Sequence, residues 1–121
     1  MLTVSVENYL KAILHLQVEG GDRVSTTSIA KKVASTPAST SAMLTKLGER
    51  GWVEHRPYHG VRLTPKGHRV AMDILRRHRL WEYFLVDRLG FEWDEVHEIA
   101  EELEHVDSKE LINRLDAFLG F

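Results

Sequence analysis

Apolar residues recur at helical spacing along most of the chain. Val6, Leu10, Ile13, Leu14 and Leu16 form one stripe and predict a helix over residues 3–19. Thr3 or Ser5 would cap it, and Gly20-Gly21-Asp22 would end it. Ile29, Ala30 and Val33 predict a short helix behind Thr26 or Thr27. After a break at Ala34-Ser35, Thr36 reads as an N-cap and Pro37 as the first residue of another helix. Met43, Leu44 and Leu47 would be its inward side and Gly51 its stop. Two short helices joined by a tight turn make a helix-turn-helix. The pattern then changes. Trp52–Arg56 and Val61–Leu63 predict two short strands around Pro57-Tyr58-His59-Gly60, a small hairpin or wing.

Thr64-Pro65 opens a long predicted helix over residues 65–89, with Val70, Ile74, Leu75, Leu80, Phe84 and Leu85 at apolar positions. Beyond Gly90, Asp94 reads as the cap of an acidic helix whose Val96, Ile99, Leu103 and Val106 can pack inward. Asp107-Ser108-Lys109-Glu110 resembles a capping box for a last helix carrying Leu111, Leu115, Phe118 and Leu119. Helix-turn-helix, hairpin, helix is the order of a winged helix. The expected fold is therefore mainly α, an N-terminal winged helix-turn-helix followed by a helical dimerisation domain. The expected division is residues 1–72 and 73–121. With Trp81, Phe84 and Phe91, the last third is too apolar and too small to stand alone, and a second copy of itself is the natural cover.

The length of 121 residues, with 43% hydrophobic and 28% charged positions, fits an ordinary soluble globular chain. Absence of cysteine excludes disulfides, thiolate metal sites and cysteine nucleophiles. No apolar run reaches the length of a membrane span and no signal pattern opens the chain, so a cytoplasmic protein with no membrane role is expected.

The net charge of −2 conceals a segregation: −2 over residues 1–22, +9 over 23–80 and −9 over 81–121. A basic middle suits a polyanion. The helix opening Thr36-Pro37-Ala38-Ser39-Thr40-Ser41-Ala42 is small and rich in hydroxyls, which suits close approach to phosphates and thymine methyls in a major groove. Thr36, Pro37, Ser39, Ser41 and Ala42 are the candidate reading residues. Lys46 and Arg50 on that helix, and Arg56, His59 and Arg62 on the wing, are candidate phosphate contacts.

The acidic end has a different chemistry. His97, Glu101, Glu104 and His105 are spaced to share one face of a continuous helix. Imidazole and carboxylate together suit a divalent cation of borderline to hard character. An acidic helix face alone is more often merely solvated. His78 and Glu82, at i and i+4 in the preceding helix, could complete a metal shell. An enzyme is not expected. Glu102 and His105 give the Glu-x-x-His spacing of di-iron carboxylate proteins on one helix, where that class needs two. No phosphate loop, nucleophile elbow or HExxH motif is present.

Four stretches carry a resemblance when taken together: Glu7-Asn8-Tyr9-Leu10-Lys11-Ala12-Ile13, Leu63-Thr64-Pro65-Lys66-Gly67, Arg77-His78-Arg79-Leu80-Trp81-Glu82 and Glu101-Glu102-Leu103-Glu104-His105. From about Val6 to Phe121 the chain resembles the diphtheria-toxin-repressor family of metal-dependent transcriptional regulators, including its manganese transport regulator branch. The resemblance implies a homodimer that binds a palindromic operator in double-stranded DNA when divalent metal is bound. It implies a main metal site on Glu101, Glu104 and His105 with Asn8 from the first helix, and a second site on His78, Glu82 and His97. Asn8 departs from both branches, which place Met or Asp there, and Lys11 replaces a Glu of the manganese branch. Oxygen-rich ligands without thiolate imply Mn2+ or Fe2+, with Zn2+ a substitute in vitro. Many members continue into a further small β domain, which would begin near Leu119-Gly120-Phe121. The rival expectation is a winged-helix regulator that answers to a small organic ligand and leaves its acidic helix solvated.

Overall fold

The computed structural model describes residues 2–120. Six helices and one two-stranded sheet follow in the order α1 (Val4–Gly20), α2 (Thr26–Lys32), α3 (Pro37–Glu49), β1 (Val53–Arg56), β2 (Gly60–Leu63), α4 (Pro65–Asp87), α5 (Trp93–Leu103) and α6 (Lys109–Leu119). The chain divides into two compact units, residues 1–72 and 73–121.

In the first unit, Thr3 caps α1 through its hydroxyl, which accepts from the Val6 amide at 3.1 Å. Ser25, not Thr26 or Thr27, caps α2, taking the Ser28 amide at 3.0 Å. Its extended backbone leaves the hydroxyl free to reach back over the first turn. Thr36 caps α3 in the same way, with Pro37 opening the helix. The α2–α3 turn passes through Ala34 at φ 56°, and the Ser35 amide donates to the Ala30 carbonyl at 2.9 Å. Leu10, Ile13, Ile29, Leu44, Leu47 and Val61 are buried to within 1% and form the centre of this unit.

The wing is an antiparallel hairpin in the register Val53↔Leu63 to Arg56↔Gly60. A third short piece joins it. Val24 and Val61 exchange both backbone hydrogen bonds at 2.8 Å, which ties the wing to the segment before α2. Gly60 lies at that seam with φ 85°, where an added Cβ would stand 2.6 Å from the Val24 carbonyl oxygen. Glu54 accepts from Arg23 at 2.6 Å and from Arg62 at 3.0 Å. Arg23, then Arg62, hold its carboxyl below the usual range.

The Leu63–Gly67 stretch closes the wing onto α4. Thr64 donates its hydroxyl to the Gly51 carbonyl at 2.6 Å and accepts from the Gly67 amide at 3.1 Å. A Cβ on Gly67 would fall 1.9 Å from the Trp52 carbonyl oxygen, so only glycine fits there.

In the second unit, Leu80, Ile112 and Leu115 form a core with Trp81, Phe84 and Leu119 packed against it. Glu95, at the third position of α5, accepts from the Glu92 amide at 3.0 Å, so Glu92 rather than Asp94 is the cap. Ser108 rather than Asp107 caps α6, because the Asp107 carboxylate is drawn off to Arg77 at 3.0 Å. Val96 and Ala100 of α5 are buried, whereas Val106 is exposed beyond the helix end.

Replacing Gly67 by Ala should cost about 3 kcal/mol, because the opposing atom is backbone and cannot swing aside. Urea denaturation of the two proteins checks this, and equal midpoints would refute the close approach.

Candidate metal centre and nucleic-acid interface

The chemistry of the second unit begins on α4, where His78 and Glu82 lie one turn apart and face the same way. The ring Nε2 of His78 is 3.2 Å from a Glu82 oxygen. His97 on α5 brings its Nδ1 to 3.7 Å from the same oxygen, and the two imidazoles meet edge to face with centroids 5.0 Å apart. Each of His78, Glu82 and His97 offers one ligand atom, and these atoms lie within 4.8 Å of one another. Among the described residues this is the group of three that a single cation could span.

The other nitrogen of His78 completes the arrangement. Nδ1 is 2.6 Å from Glu104 Oε1, and the Glu104 side chain is 0% exposed. With its Nδ1–H donated to that buried carboxylate, His78 turns the Nε2 lone pair toward Glu82. A carboxylate holding the far nitrogen fixes the ring and raises the basicity of the near one, as at histidine metal sites in general. The donor set fits a borderline to hard divalent ion: two imidazoles and a carboxylate, with no sulfur.

Of the expected face, His97 and Glu101 are exposed, His105 is half-buried and Glu104 is buried. The helix ends at Leu103. The Glu104 amide makes the last helical bond to the Ala100 carbonyl at 2.8 Å, and the Val106 amide turns to Leu103 at 3.0 Å. Glu104 keeps helical backbone angles and its side chain is buried, while His97 and Glu101 stay exposed on α5 and pair with each other at 2.8 Å. His105 is half-buried, with Nε2 3.7 Å from Glu104 Oε2. The structure thus brings His78, Glu82 and His97 together, joins Glu104 to both His78 and His105, and sets Glu101 against His97. Asn8 is exposed on α1 of the first unit.

The candidate DNA-reading residues lie where the sequence suggests. Thr36, Pro37, Ser39, Ser41, Ala42 and Lys46 are exposed on or beside α3, and Arg56 and His59 are exposed on the wing. Thr40 is the exception within that polar run. It is fully buried, with its hydroxyl 3.4 Å from that of Tyr9, so it anchors α3 to α1. Arg62 is likewise diverted from the phosphate role. It is bound to Glu54 and, at 3.4 Å, to Asp22. Arg50 lies over the Trp52 ring, 5.7 Å from its centroid. Pattern reading missed these pairings because the partners are distant in the chain.

A winged helix-turn-helix in the same chain as a histidine–carboxylate cluster marks a class, that of regulators whose DNA-binding unit is accompanied by a cation site. Comparison with known proteins makes this specific. Residues 1–61 match the N-terminal DNA-binding domain of the iron-dependent repressors, and residues 64–121 match their metal-binding and dimerisation domain. The chain belongs to this iron-dependent repressor family, whose members are transcriptional repressors rather than enzymes.

It is 36% identical over 118 residues to an HTH-type transcriptional regulator of Methanocaldococcus jannaschii, covering 98% of this chain and 94% of that one. It is 34% identical over 122 residues to the HTH-type transcriptional regulator MntR of Bacillus pumilus, covering 100% and 83%. Among solved structures, a manganese-dependent transcriptional repressor in complex with manganese is similar at TM-score 0.85 and 45% identity, covering 95% of this chain and 52% of that one. The chain also spans 49% of the iron-dependent repressor IdeR of Mycobacterium leprae. It is therefore about half the length of several relatives and close to the full length of others.

Glu82→Gln keeps the shape beside His78 and removes the charge. Manganese affinity, measured by calorimetry, should fall at least about tenfold, the lower end of what losing even an orienting partner costs. Unchanged affinity would show that the His78–Glu82–His97 cluster does not hold the ion.

Proposed function

We propose that the protein is a metal-activated, homodimeric repressor that binds double-stranded operator DNA and controls genes of metal homeostasis, with Mn2+ or Fe2+ as co-repressor. The observation that carries this is the His78–Glu82–His97 cluster, backed by buried Glu104, in a chain that also has a winged helix with an exposed, hydroxyl-rich α3. Residues 1–72 are the proposed DNA-binding domain and residues 73–121 the metal-binding and dimerisation domain.

Glu101, Glu104 and His105, with Asn8 from α1, are the proposed main ligands. His78, Glu82 and His97 are the second set. Donors of oxygen and imidazole without thiolate lean to manganese, with ferrous iron close behind and zinc as an in vitro substitute. A relative named as an MntR regulator, one named as an iron-dependent repressor and a structure solved with manganese support the same choice.

A bound cation supplies positive charge among carboxylates that otherwise repel one another and a polyanion. Glu101 and Glu104 would supply carboxylate oxygens at the main set and Glu82 at the second, while Thr36, Pro37, Ser39, Ser41 and Ala42 read base edges and methyls. Lys46, Arg56 and His59 hold phosphates. If metal favours the DNA-competent conformation, DNA must raise metal affinity by the same factor. In a symmetric dimer the two α3 helices meet half-sites about 34 Å apart, or a multiple of that. None of the described helices is long and apolar enough to cross a membrane, and the proposed location is the cytoplasm.

Fluorescence anisotropy tests this on a duplex selected by the protein from a random pool with manganese present. Binding should appear with manganese or anaerobic ferrous iron and vanish in chelator. Binding that ignores chelator would favour the regulator without metal. In the same assay His105→Ala should lose the metal dependence while keeping its helical circular dichroism, and normal binding at limiting metal would remove His105 from the ligands. Ser39→Glu should weaken DNA binding and leave manganese affinity unchanged. Normal DNA binding in that variant would take Ser39 off the contact surface.

A further inference from the structure

His78, Glu82 and His97 make a donor set of two histidines and one carboxylate. Ferrous iron is held by that combination in proteins that react with oxygen, because the remaining positions on the ion stay open. The spacing suits adjacent positions on one ion. Donors about 2.1 Å from an octahedral ion stand about 3 Å apart along an edge. The Glu82 oxygen lies 3.2 Å from His78 Nε2 and 3.7 Å from His97 Nδ1. Both rings are also held from behind. Glu104 meets His78 Nδ1 at 2.6 Å, and Glu101 meets His97 Nε2 at 2.8 Å. Each ring is thereby fixed with its other nitrogen toward Glu82.

The set is lopsided toward solvent. The His78 side chain is 8% exposed and that of Glu82 21%, whereas that of His97 is 62% exposed. A small oxidant therefore reaches the set past His97. That ring offers Nδ1, which has two carbon neighbours. Cγ is fully substituted, so Cε1 carries the one C–H bond next to the donor atom. The chain has no cysteine to intercept an oxidant first.

We propose that, with ferrous iron in this set, the chain senses hydrogen peroxide by oxidation of His97 at Cε1. This rests on the second ligand set proposed above. Peroxide takes one electron from the ferrous ion and splits into hydroxide and a hydroxyl radical, which adds to Cε1. The adduct returns one electron to the ferric ion and gives its Cε1 proton to the hydroxide. In sum, one imidazole and one peroxide give one oxo-imidazole and one water, and the iron is ferrous again. The oxidised carbon is a carbonyl between two N–H groups. The ring then has no basic lone pair for a cation, so the set is lost and repression is relieved. Manganous ion does not readily reduce peroxide, so the same set filled with manganese is insensitive.

The test uses the full chain. Calorimetry under nitrogen first measures ferrous iron binding. The iron-loaded protein is then treated with a small excess of hydrogen peroxide, catalase stops the reaction, and fragment mass spectra locate any added oxygen. One oxygen atom should appear on His97 and none on His55, His59 or His68, which are exposed in the first unit. His97 should stay intact in the manganese-loaded protein. It should also stay intact in Glu82→Gln, whose fold is checked by circular dichroism. Stripped of iron, the oxidised protein should bind manganese about tenfold more weakly or worse. Equal oxidation of every exposed histidine would show freely diffusing radicals and overturn the proposal. An intact His97 in protein that binds iron would overturn it too, and leave the repressor function standing. A chain that binds neither ferrous iron nor manganese would overturn both.

Discussion

Three consecutive side chains of α4 each hold a carboxylate from further along the chain, and the second unit depends on them. Arg76 binds Asp116 of α6 at 2.6 Å, Arg77 binds Asp107 before α6 at 3.0 Å, and His78 binds Glu104 at the end of α5 at 2.6 Å. The last is the most demanding. A fully buried carboxylate is tolerated only when paired and hydrogen-bonded, because removing it from water costs several kcal/mol, about as much as a good pairing returns. Deleting His78 would leave that charge stranded, so the pair ties the end of α5 to α4. It also fixes the ring of His78, and through it the edge of the Glu82 and His97 cluster.

The segregation of charge along the sequence thus has two destinations. Part of the basic middle is consumed inside the protein. Arg76 and Arg77 serve the second unit, and Arg23 and Arg62 close around Glu54 at the base of the wing. What remains exposed on α3 and the wing includes Lys46, Arg56 and His59. A +9 segment is therefore a weaker electrostatic footprint than its formal charge suggests.

The fold was legible because its elements follow local rules. Thr36-Pro37, Thr64-Pro65 and the Pro57–Gly60 turn are punctuation that does not need tertiary context. Caps shifted by one or two residues where several polar residues stood together: Ser25 for Thr26, Glu92 for Asp94, Ser108 for Asp107. The choice among neighbours was made by other demands, as when Arg77 took Asp107. The larger departure was Glu104. Periodicity places Glu104 on the helix but does not show that its carboxylate has a buried partner on α4. Neither that pairing nor the Val24–Val61 bridge leaves a trace in local sequence.

That departure alters how the two ligand sets relate. On a single exposed face, Glu104 would belong with His97, Glu101 and His105. In the structure its two oxygens look different ways, Oε1 to His78 at 2.6 Å and Oε2 toward His105 at 3.7 Å. A cation taken up by Glu104 and His105 would therefore draw charge from the same carboxylate that orients His78. Were both proposed sets to take up a cation, weakening that hold would reach the nitrogen facing Glu82 through the same carboxylate. The coupling needs no movement of a helix, because a single buried carboxylate carries it. By the same reasoning, removing Glu104 would disturb ligation, ring orientation and the pairing of a buried histidine together. Glu82 and His105 are therefore the positions at which the two sets can be separated.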